Sequence, residues 1–340
     1  MKGETAGDSA ASEKSPAALS VVIPSRDTRD LTLACLTSLH PPEGLDLTVE
    51  ILVVDDGSRD GTAESIAGNP AYAHVRLLRS PEGTGFTRAA NRGLLAARGE
   101  LLLLLNSDTE VEPGALAALR AAFAADPRLG AAGAALRYPD GRPQWSGGGA
   151  PRDLWLFGLA SGLPALLGRL APYRRARPLR QGGEVEWATG AALCLRRAAL
   201  EPIRPPGPLD ERFRFYAQDL DLCLGLRAAG WKIAILPEVR VLHHHGATIG
   251  RESGTSSDQK HPELLWTDLL RAAAKRRGPA GAASARRALR AGAALRAFGR
   301  ALRRPFLRPE ERAAYRADDE AFRRARRALA AFPVTAEQIP

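Results

Sequence analysis

Acidic residues follow apolar runs at two places in this 340-residue chain, each where a strand would end. Asp55 and Asp56 come directly after the apolar run at 48–54, and Asp108 lies shortly after the five consecutive leucines at 101–105. Open α/β sheets bind ligands at the carboxyl ends of their strands, where acidic residues accept hydrogen bonds from nucleotides. One or two carboxylates are enough for a divalent cation that also binds phosphate. The pattern therefore predicts a site for a nucleotide and a divalent cation.

Local capping offers a purely structural alternative for both segments. Ser58 or Asp60 could cap the helix that follows the first segment, and residues 106–109 could cap a helix that begins near Pro113. From these residues alone, both interpretations stay open.

A third acidic pair, Asp219 and Asp221, opens a segment with helical character and follows an aromatic stretch that contains Phe213, Phe215 and Tyr216. Acidic residues in the first turn interact favourably with the helix dipole, which would account for one of the two. A carboxylate held beside aromatic rings can also take a proton from a hydroxyl group. The pair therefore contains a candidate general base.

Three consecutive histidines, His243, His244 and His245, end an apolar run. Side chains alternate along a strand, so His243 and His245 would face one way and His244 the other. One face would then meet the carboxylate edge, which favours a ligand role. A zinc site built from histidines alone is the alternative.

Apolar runs alternate with helical patterns, which predicts an α/β protein with a mostly parallel, doubly wound, Rossmann-like sheet flanked by helices. Expected strands lie at 19–24, 48–54, 75–78, 101–105, 187–195, 232–236 and 239–243. Expected helices lie at 31–39, 86–97 and 218–229, with a short one near 154–167 in the loop-like segment 139–183. An Ala/Arg-rich helical extension follows residue 262, with breaks at Gly278-Pro279, Pro305 and Pro309.

Seven motifs occur in an order that resembles the family 2 inverting glycosyltransferases of GT-A fold, particularly their rhamnosyltransferase-like branch. They cover residues 19–250 and read VVIPSRD, VVDDGSRDGT, GFTRAANRGL, LLLLNSDTEVEPGAL, WATGAALCLRR, DERFRFYAQDLDLCLGLRAAGW and VLHHHGATIG. The resemblance implies transfer of a sugar, rhamnose first, from a nucleotide-diphospho-sugar donor. The acceptor would be a hydroxyl of a glycan or polyprenyl-linked molecule in cell-envelope polysaccharide synthesis. The alternative is a non-catalytic protein that binds a nucleotide sugar, a membrane or a polyanion through a degenerate site.

The resemblance also assigns roles to single residues. It implies that Asp219 is the catalytic base, with Asp221 as the competitor, because Gln218 stands where many relatives have Glu. It implies that Asp108 holds Mg or Mn and that His243 contacts the metal or the diphosphate, although Asn106 replaces the first carboxylate of the metal motif. The residues expected to bind the nucleotide sugar are Pro24, Ser25, Asp55, Asp56, Asn91 and Asn106.

The formal net charge of +10 is concentrated in one segment. Arg271–Arg308 contains twelve basic residues and no acidic one, so the other 302 residues carry 36 bases and 38 acids. We therefore expect no specific nucleic-acid partner. Leu295, Phe298 and Leu302 share a helical stripe in this segment, which is typical of a basic helix on an anionic membrane surface. A solvated helical face is the alternative.

These patterns divide the chain into a disordered leader at 1–17, a GT-A domain at 18–260 and an Ala/Arg-rich helical extension at 261–340. Three dispersed cysteines are typical of a reducing compartment, and the leader lacks the apolar core of a secretory signal. The longest uncharged run, residues 154–168, is too short to span a bilayer. The sequence predicts a cytoplasmic protein, peripheral on the inner face of the cell membrane.

Overall fold

The computed structural model describes residues 19–39, 49–163, 182–203, 207–213, 216–244 and 261–333. The expected leader at 1–17, the end of the helix expected near 154–167, Phe215 and His245 lie outside the described residues.

Strand and helix bounds follow the expected apolar runs closely in the first half of the chain. The strands are β1 Leu19–Ser25, β2 Val49–Asp55, β3 Val75–Arg79, β4 Leu101–Leu105, β5 Thr109–Val111, β6 Leu129–Arg137, β7 Gly147–Gly148, β8 Gly183–Val185, β9 Trp187–Ala188, β10 Ala192–Arg196 and β11 Lys232–His243. The helices are α1 Arg29–Ser38, α2 Thr62–Ala67, α3 Phe86–Ala96, α4 Ala115–Ala125, α5 Asp153–Ser161, α6 Arg197–Leu200, α7 Gln218–Ala228, α8 Pro262–Arg303 and α9 Arg312–Ala331.

The main sheet has the strand order β3-β2-β1-β4-β10-β6-β11-β5, with β8 paired to β11. Strands β3, β2, β1 and β4 are parallel, as expected. Beyond β4 the sheet is mixed, because β10 is antiparallel to both β4 and β6. Strand β4 lies between β1 and β10 in the sheet, and all five of its leucines are buried, as in a strand that is covered on both faces.

Three expected strands differ from the observed ones. The run 187–195 is divided into β9 and β10, because β9 leaves the main sheet and pairs with β7. The two strands expected at 232–236 and 239–243 are one strand, β11, whose pairing with β6 is interrupted by an irregularity after Leu236. Strands β5, β6, β7 and β8 were not expected.

The C-terminal helices α8 and α9 pack on one another, and α8 also packs on α5. Helix α8 changes direction at Gly278, whose φ is 68°, and Pro279 follows, as expected. A Cβ atom at Gly292 would lie 2.4 Å from the carbonyl oxygen of Phe157, so this glycine permits the close approach of α8 and α5. None of the helices in the described ranges has the length and apolar character that crossing a bilayer requires.

Candidate active site

The turn between β4 and β5 brings Asp108 against His243. Strand β5 pairs antiparallel with the end of β11, in a register that places Thr109 opposite His243. The amide of His244 donates to the carbonyl oxygen of Asp108 at 2.9 Å. As a result Nε2 of His243 lies 3.3 Å from Oδ1 of Asp108, and both side chains are buried. The two residues expected to hold a cation are therefore neighbours.

Gln144 orients the ring of His243. None of the sequence motifs pointed to Gln144. Its amide nitrogen donates to the carbonyl oxygen of His243 at 2.7 Å, which turns its amide oxygen toward Nδ1 of the ring at 2.9 Å. That oxygen can only accept, so Nδ1 carries the proton in the neutral ring. In that neutral tautomer the lone pair of Nε2 would face Asp108, the arrangement of a metal-binding histidine held by an outer hydrogen bond.

The donor atoms at this turn fit a divalent cation. Besides the carboxylate and the imidazole, Oδ1 of Asn106 is buried and accepts no hydrogen bond from any described residue. A buried acceptor without a donor is costly, and a bound ion or its water would satisfy it. The described residues contain no cluster of three or more His, Cys, Asp or Glu suited to a metal, so two such ligands would leave room for phosphate oxygens.

The two described histidines of the run point to different acids. His244 contacts Glu110 at 2.7 Å, whereas His243 contacts Asp108. The alternation expected along the strand is therefore observed for this pair. Between these two residues there is no convergence of the kind that a histidine-only zinc site needs.

A cluster of hydroxyl groups joins the end of β1 to the cation turn. Ser25 Oγ lies 3.1 Å from Thr28 Oγ1 and 2.8 Å from Thr32 Oγ1, and Thr28 Oγ1 lies 3.0 Å from Ser107 Oγ. All four residues are buried. Pro24 lies directly before Ser25 in β1. Among these hydroxyls only Ser25 was expected from the sequence, since the others carry no distinctive spacing.

Asp55 and Asp56 lie at the end of β2 but make different contacts. Asp56 accepts hydrogen bonds from the Thr84 amide and hydroxyl, both at 2.7 Å, and from the Gly85 amide at 2.8 Å. Its carboxylate therefore anchors the loop before α3. Asp55 is also buried, and its carboxylate accepts one long hydrogen bond, from the Ser58 amide at 3.4 Å. Of the two, Asp55 keeps more capacity for a ligand.

Asn91 holds main chain rather than facing an open space. Its side-chain nitrogen, Nδ2, donates to the Leu209 carbonyl oxygen at 2.8 Å, and its side-chain oxygen, Oδ1, accepts from the Leu209 main-chain amide at 2.9 Å. A Cβ atom at Gly207 would lie 2.5 Å from Cγ of Asn91, so the loop packs directly on this side chain. Both ends of the Asn91 amide, expected to contact the nucleotide sugar, are thus engaged by the 207–209 loop.

Asp219 lies in the first turn of α7, where its carboxylate is held by two amides. Gly190 N donates to Oδ2 and Leu220 N to Oδ1, both at 2.7 Å. Burial raises the pKa of Asp219 above the ordinary aspartate value, against the opposing effect of these hydrogen bonds. Ala217, just before the helix, has a φ of 62°, a conformation that non-glycine residues adopt at an energetic cost. The carboxylate is therefore oriented and has raised basicity.

Asp221, the competitor, is committed to ion pairs with α8. Lys275 Nζ donates to Oδ2 at 2.7 Å and Arg276 Nε to Oδ1 at 2.8 Å. Lys275 also pairs with Asp210 at 2.7 Å. We refer to Asp210, Asp221, Lys275 and Arg276 as the α7–α8 charge cluster.

A single loop connects Asp219 with the cation turn. Gly190 binds the Asp219 carboxylate, and the carbonyl oxygen of the next residue, Ala191, accepts from the Asn106 amide at 2.9 Å. Beside Asp219, Oε1 of Gln218 is buried and receives no hydrogen bond within the described ranges. The structure thus brings together a basic carboxylate, a carboxylate–imidazole pair and two acceptors that lack donors.

The sequence model of Glycosyl transferase family 2 matches residues 20–203, more than half of the chain. The chain belongs to glycosyl transferase family 2. As a member of this family the protein is a glycosyltransferase, and the family expected from the seven motifs is confirmed.

Two relatives of this family 2 glycosyltransferase are bacterial proteins. The N-acetylglucosaminyl-diphospho-decaprenol L-rhamnosyltransferase of Mycobacterium tuberculosis is 32% identical over 232 residues, which cover 63% of this chain and 72% of the relative. The O-antigen biosynthesis protein RfbC of Myxococcus xanthus is 29% identical over 245 residues, which cover 68% of this chain and 17% of that protein.

Solved structures share the fold of this family 2 glycosyltransferase at low sequence identity. The mannosyltransferase PcManGT from Pyrobaculum calidifontis, in complex with GDP-Man and Mn²⁺, has a TM-score of 0.53 at 18% identity and covers 94% of this chain and 88% of its own. GalNAc-T7 with UDP, GalNAc and Mn²⁺ has the same TM-score and identity and covers 76% of this chain and 48% of its own. The fold is therefore the expected GT-A type.

Proposed function

We propose that the protein transfers a sugar, with inversion, from a nucleotide-diphospho-sugar to an acceptor hydroxyl, with Asp219 as the base. The observation that carries this proposal is the placement of the Asp219 carboxylate one loop away from the Asp108–His243 pair. A base and a cation site so close can act on the two ends of one displacement, the attacking oxygen and the leaving diphosphate.

The reaction follows as a single displacement. The acceptor oxygen forms a bond to the anomeric carbon while the bond from that carbon to the diphosphate oxygen breaks, and the acceptor proton passes to Asp219. The raised pKa of Asp219 suits this role, because a base is most effective when its pKa approaches the working pH. Asp108 and His243 would hold Mg²⁺ or Mn²⁺, which would neutralise charge on the leaving diphosphate. Asp221 is the weaker candidate for the base, because Lys275 and Arg276 engage its carboxylate.

The nucleotide would lie beyond the cation turn, at the ends of β1 and β2. Ser25 and the partly unsatisfied carboxylate of Asp55 would contact it, with Pro24 shaping the strand end. Asp56 and Asn91 would act by holding the loops around 84–85 and 207–209 in place.

The mycobacterial relative suggests the identities of donor and acceptor. Its name specifies an L-rhamnosyl group and an N-acetylglucosaminyl-diphospho-decaprenol. We infer that this enzyme takes dTDP-rhamnose as donor and a polyprenyl-diphosphate-linked sugar as acceptor in cell-envelope polysaccharide synthesis. GDP-Man in the Pyrobaculum structure, at 18% identity, supports the fold and not the donor.

The test compares the wild type with Asp219→Asn. A thermal-shift screen against dTDP-, UDP- and GDP-sugars, with and without Mn²⁺ or Mg²⁺, identifies the donor, since ligand at 100 times its Kd adds about 2.7 kcal/mol. We expect Asp219→Asn to bind this donor normally and to lose about 10²- to 10⁴-fold in kcat. Asp140→Asn is the matched control, because Asp140 lies in an exposed turn paired with Arg142. Near-normal turnover by Asp219→Asn would exclude it as the base.

The non-catalytic alternative makes a different prediction. A transferase releases nucleoside diphosphate slowly from its donor without acceptor, whereas a binding protein with a degenerate site does not. Absence of this hydrolysis with every donor that shifts the melting temperature would favour the binding protein.

We further propose that the end of α8 holds the enzyme on an anionic membrane. The basic segment Arg271–Arg308 has two parts. In the first part, the basic side chains pair with acidic residues of other elements, through Lys275, Arg276 and Arg277. This part therefore faces the rest of the protein. The later part exposes a large apolar face. Its exposed members are Leu295, Phe298, Leu302 and Phe306. Exposed arginines, Arg303 and Arg304 among them, adjoin this face, as in helices that lie in the headgroup region.

Sedimentation with vesicles tests this surface. We expect binding to phosphatidylglycerol vesicles, weaker binding to phosphatidylcholine vesicles, and loss of binding in Phe298→Ser/Leu302→Ser, because insertion and charge act together. Leu95→Ser is the matched control, since Leu95 is equally exposed on α3. Equal binding by both variants would contradict the assignment.

A further inference from the structure

Three tryptophans, Trp145, Trp155 and Trp187, form a cluster beside the site. The Trp145 ring meets Trp187 edge-on, with centroids 5.0 Å apart, and lies 5.9 Å from the Trp155 ring at a tilt of 38°. The Trp187 indole donates to the Gly149 carbonyl oxygen at 3.0 Å. Trp145 nevertheless remains 42% exposed. Two partly buried indoles thus hold a third, accessible ring in place.

The main chain that carries Trp145 contacts both halves of the site. The preceding residue, Gln144, binds the ring and carbonyl of His243. The carbonyl oxygen of the following residue, Ser146, accepts from the Thr189 amide at 2.9 Å. Thr189 directly precedes the glycine that binds the proposed base. Trp145 is therefore attached between the cation residues and the loop of the base.

The tryptophan cluster lies on the half of the sheet opposite the nucleotide residues. Trp145 follows β6 and Trp187 belongs to β9, which leads into β10. The residues proposed for the nucleotide follow β1 and β2, and β4 separates these strands from β10 and β6. Since the donor would extend from β1 toward the cation turn, the cluster lies beyond the donor, where the acceptor must approach.

We propose that the tryptophan cluster is the acceptor subsite, with the Trp145 ring stacked on the apolar face of an acceptor pyranose. This proposal rests on the proposed function. One face of a pyranose ring presents C–H groups, which an indole covers well, while the hydroxyls at its rim need polar partners. The buried, unsatisfied Oε1 of Gln218, next to Asp219, can accept from one of those hydroxyls. Stacking would thereby present a neighbouring hydroxyl to the base.

The experiment compares Trp145→Ala, Trp145→Phe and Leu154→Ala in steady-state kinetics. The acceptor is a short-chain N-acetylglucosaminyl-diphospho-prenol, and the donor is the nucleotide sugar that the wild type uses. Leu154 is the control, because it is 80% exposed on α5 next to Trp155 and outside the tryptophan cluster. We expect the acceptor KM to rise about tenfold in Trp145→Ala, the size of a lost anchor contact, less in Trp145→Phe and not in Leu154→Ala. Donor KM and donor hydrolysis without acceptor should not change.

Three outcomes would overturn the proposal. An acceptor KM within twofold of wild type in Trp145→Ala removes the stacking contact. An equal rise in donor KM places the ring on the donor. Lost vesicle binding with an unchanged KM for a water-soluble acceptor analogue assigns the ring to the membrane.

Failure of the proposed function itself gives a distinct result, because the wild type would then hydrolyse and transfer none of the nucleotide sugars. The tryptophan cluster is still testable in that case through binding. Quenching of tryptophan fluorescence by the same acceptor should be present in the wild type and reduced in Trp145→Ala. Equal quenching in both would reject the subsite.

Discussion

Replacing Asp221 by asparagine removes the negative charge that joins α7 to α8. The Asp221 carboxylate is buried and accepts from Lys275 at 2.7 Å and from Arg276 at 2.8 Å. Truncating one partner of a buried ion pair costs about 3–5 kcal/mol, because the opposite charge is left without that partner. Here Arg276 loses its carboxylate, whereas Lys275 keeps its pair with Asp210. Lys275 and Arg276 keep 31% and 27% of their side-chain exposure and regain some hydration, so we take the lower end, about 3 kcal/mol.

This loss is large enough to measure by thermal unfolding followed by circular dichroism. At about 2–4 °C per kcal/mol for a domain of this size, the Asp221→Asn midpoint should fall by roughly 6–12 °C. At low temperature the folded variant should keep its kcat within a few fold, whereas Asp219→Asn loses turnover. Asp140→Asn, at an exposed ion pair, should leave the midpoint unchanged.

Two results would refute this reasoning. An unchanged midpoint in Asp221→Asn would mean that the α7–α8 charge cluster contributes no net stability. A hundredfold loss of kcat in the folded variant would move the base from Asp219 to Asp221.

Three further predictions concern the base, the cation site and the nucleotide loop. Burial raises the pKa of Asp219, and a general base must be ionised to accept a proton. We therefore expect kcat/KM to fall with decreasing pH at a midpoint above the ordinary pKa of aspartate. A pH–rate profile with its acid limb at or below the ordinary aspartate pKa would contradict this prediction. Gln144→Met removes the acceptor that orients His243, so Mn²⁺ affinity measured by calorimetry should drop about 10- to 100-fold, and an unchanged affinity would exclude the ring as a ligand. Gly57→Ala would place Cβ 2.7 Å from the main chain of Glu82, at a residue whose φ is +74°. We expect this variant to lower the free energy of unfolding, measured by denaturant titration, by about 2 kcal/mol or more. An unaltered free energy of unfolding would show that the loop shifts to accommodate the methyl group.

Local signals predicted the elements that obey local rules. The five leucines of β4 and the helix break at Gly278-Pro279 are readable in sequence and are observed. Strand β6 was missed because its sequence, LGAAGAALR, is poor in strand-forming residues. Its small residues have a tertiary cause: a Cβ at Gly130 would lie 2.6 Å from the Trp231 side chain, and one at Gly133 would lie 2.7 Å from Ala188.

The sequence identified candidate site residues that lie next to the end of a strand or the start of a helix. It did not identify a residue that reaches the candidate site from another strand. Asp108, His243 and Asp219 each follow or begin a recognisable element, so their residue types could be interpreted. Gln144 could not be found in this way, since it acts on a histidine 99 positions away in sequence. Its contact depends on the order and direction of β6 and β11, which no periodicity in the chain records.

Strand β5 accounts for how the proposed cation site would form with Asn106 in place of a carboxylate. This three-residue strand pairs antiparallel with the end of β11, so the turn that begins with Asn106 is fixed against the histidine run. The pairing places Nε2 of His243 beside Asp108, and a histidine ligand would avoid the repulsion that a second buried carboxylate would bring before phosphate arrives. The proposed site would hold one negative charge from Asp108, and the donor's diphosphate would supply the rest. A cation bound in this way would be held more tightly with donor than without, which would make donor and cation binding mutually reinforcing.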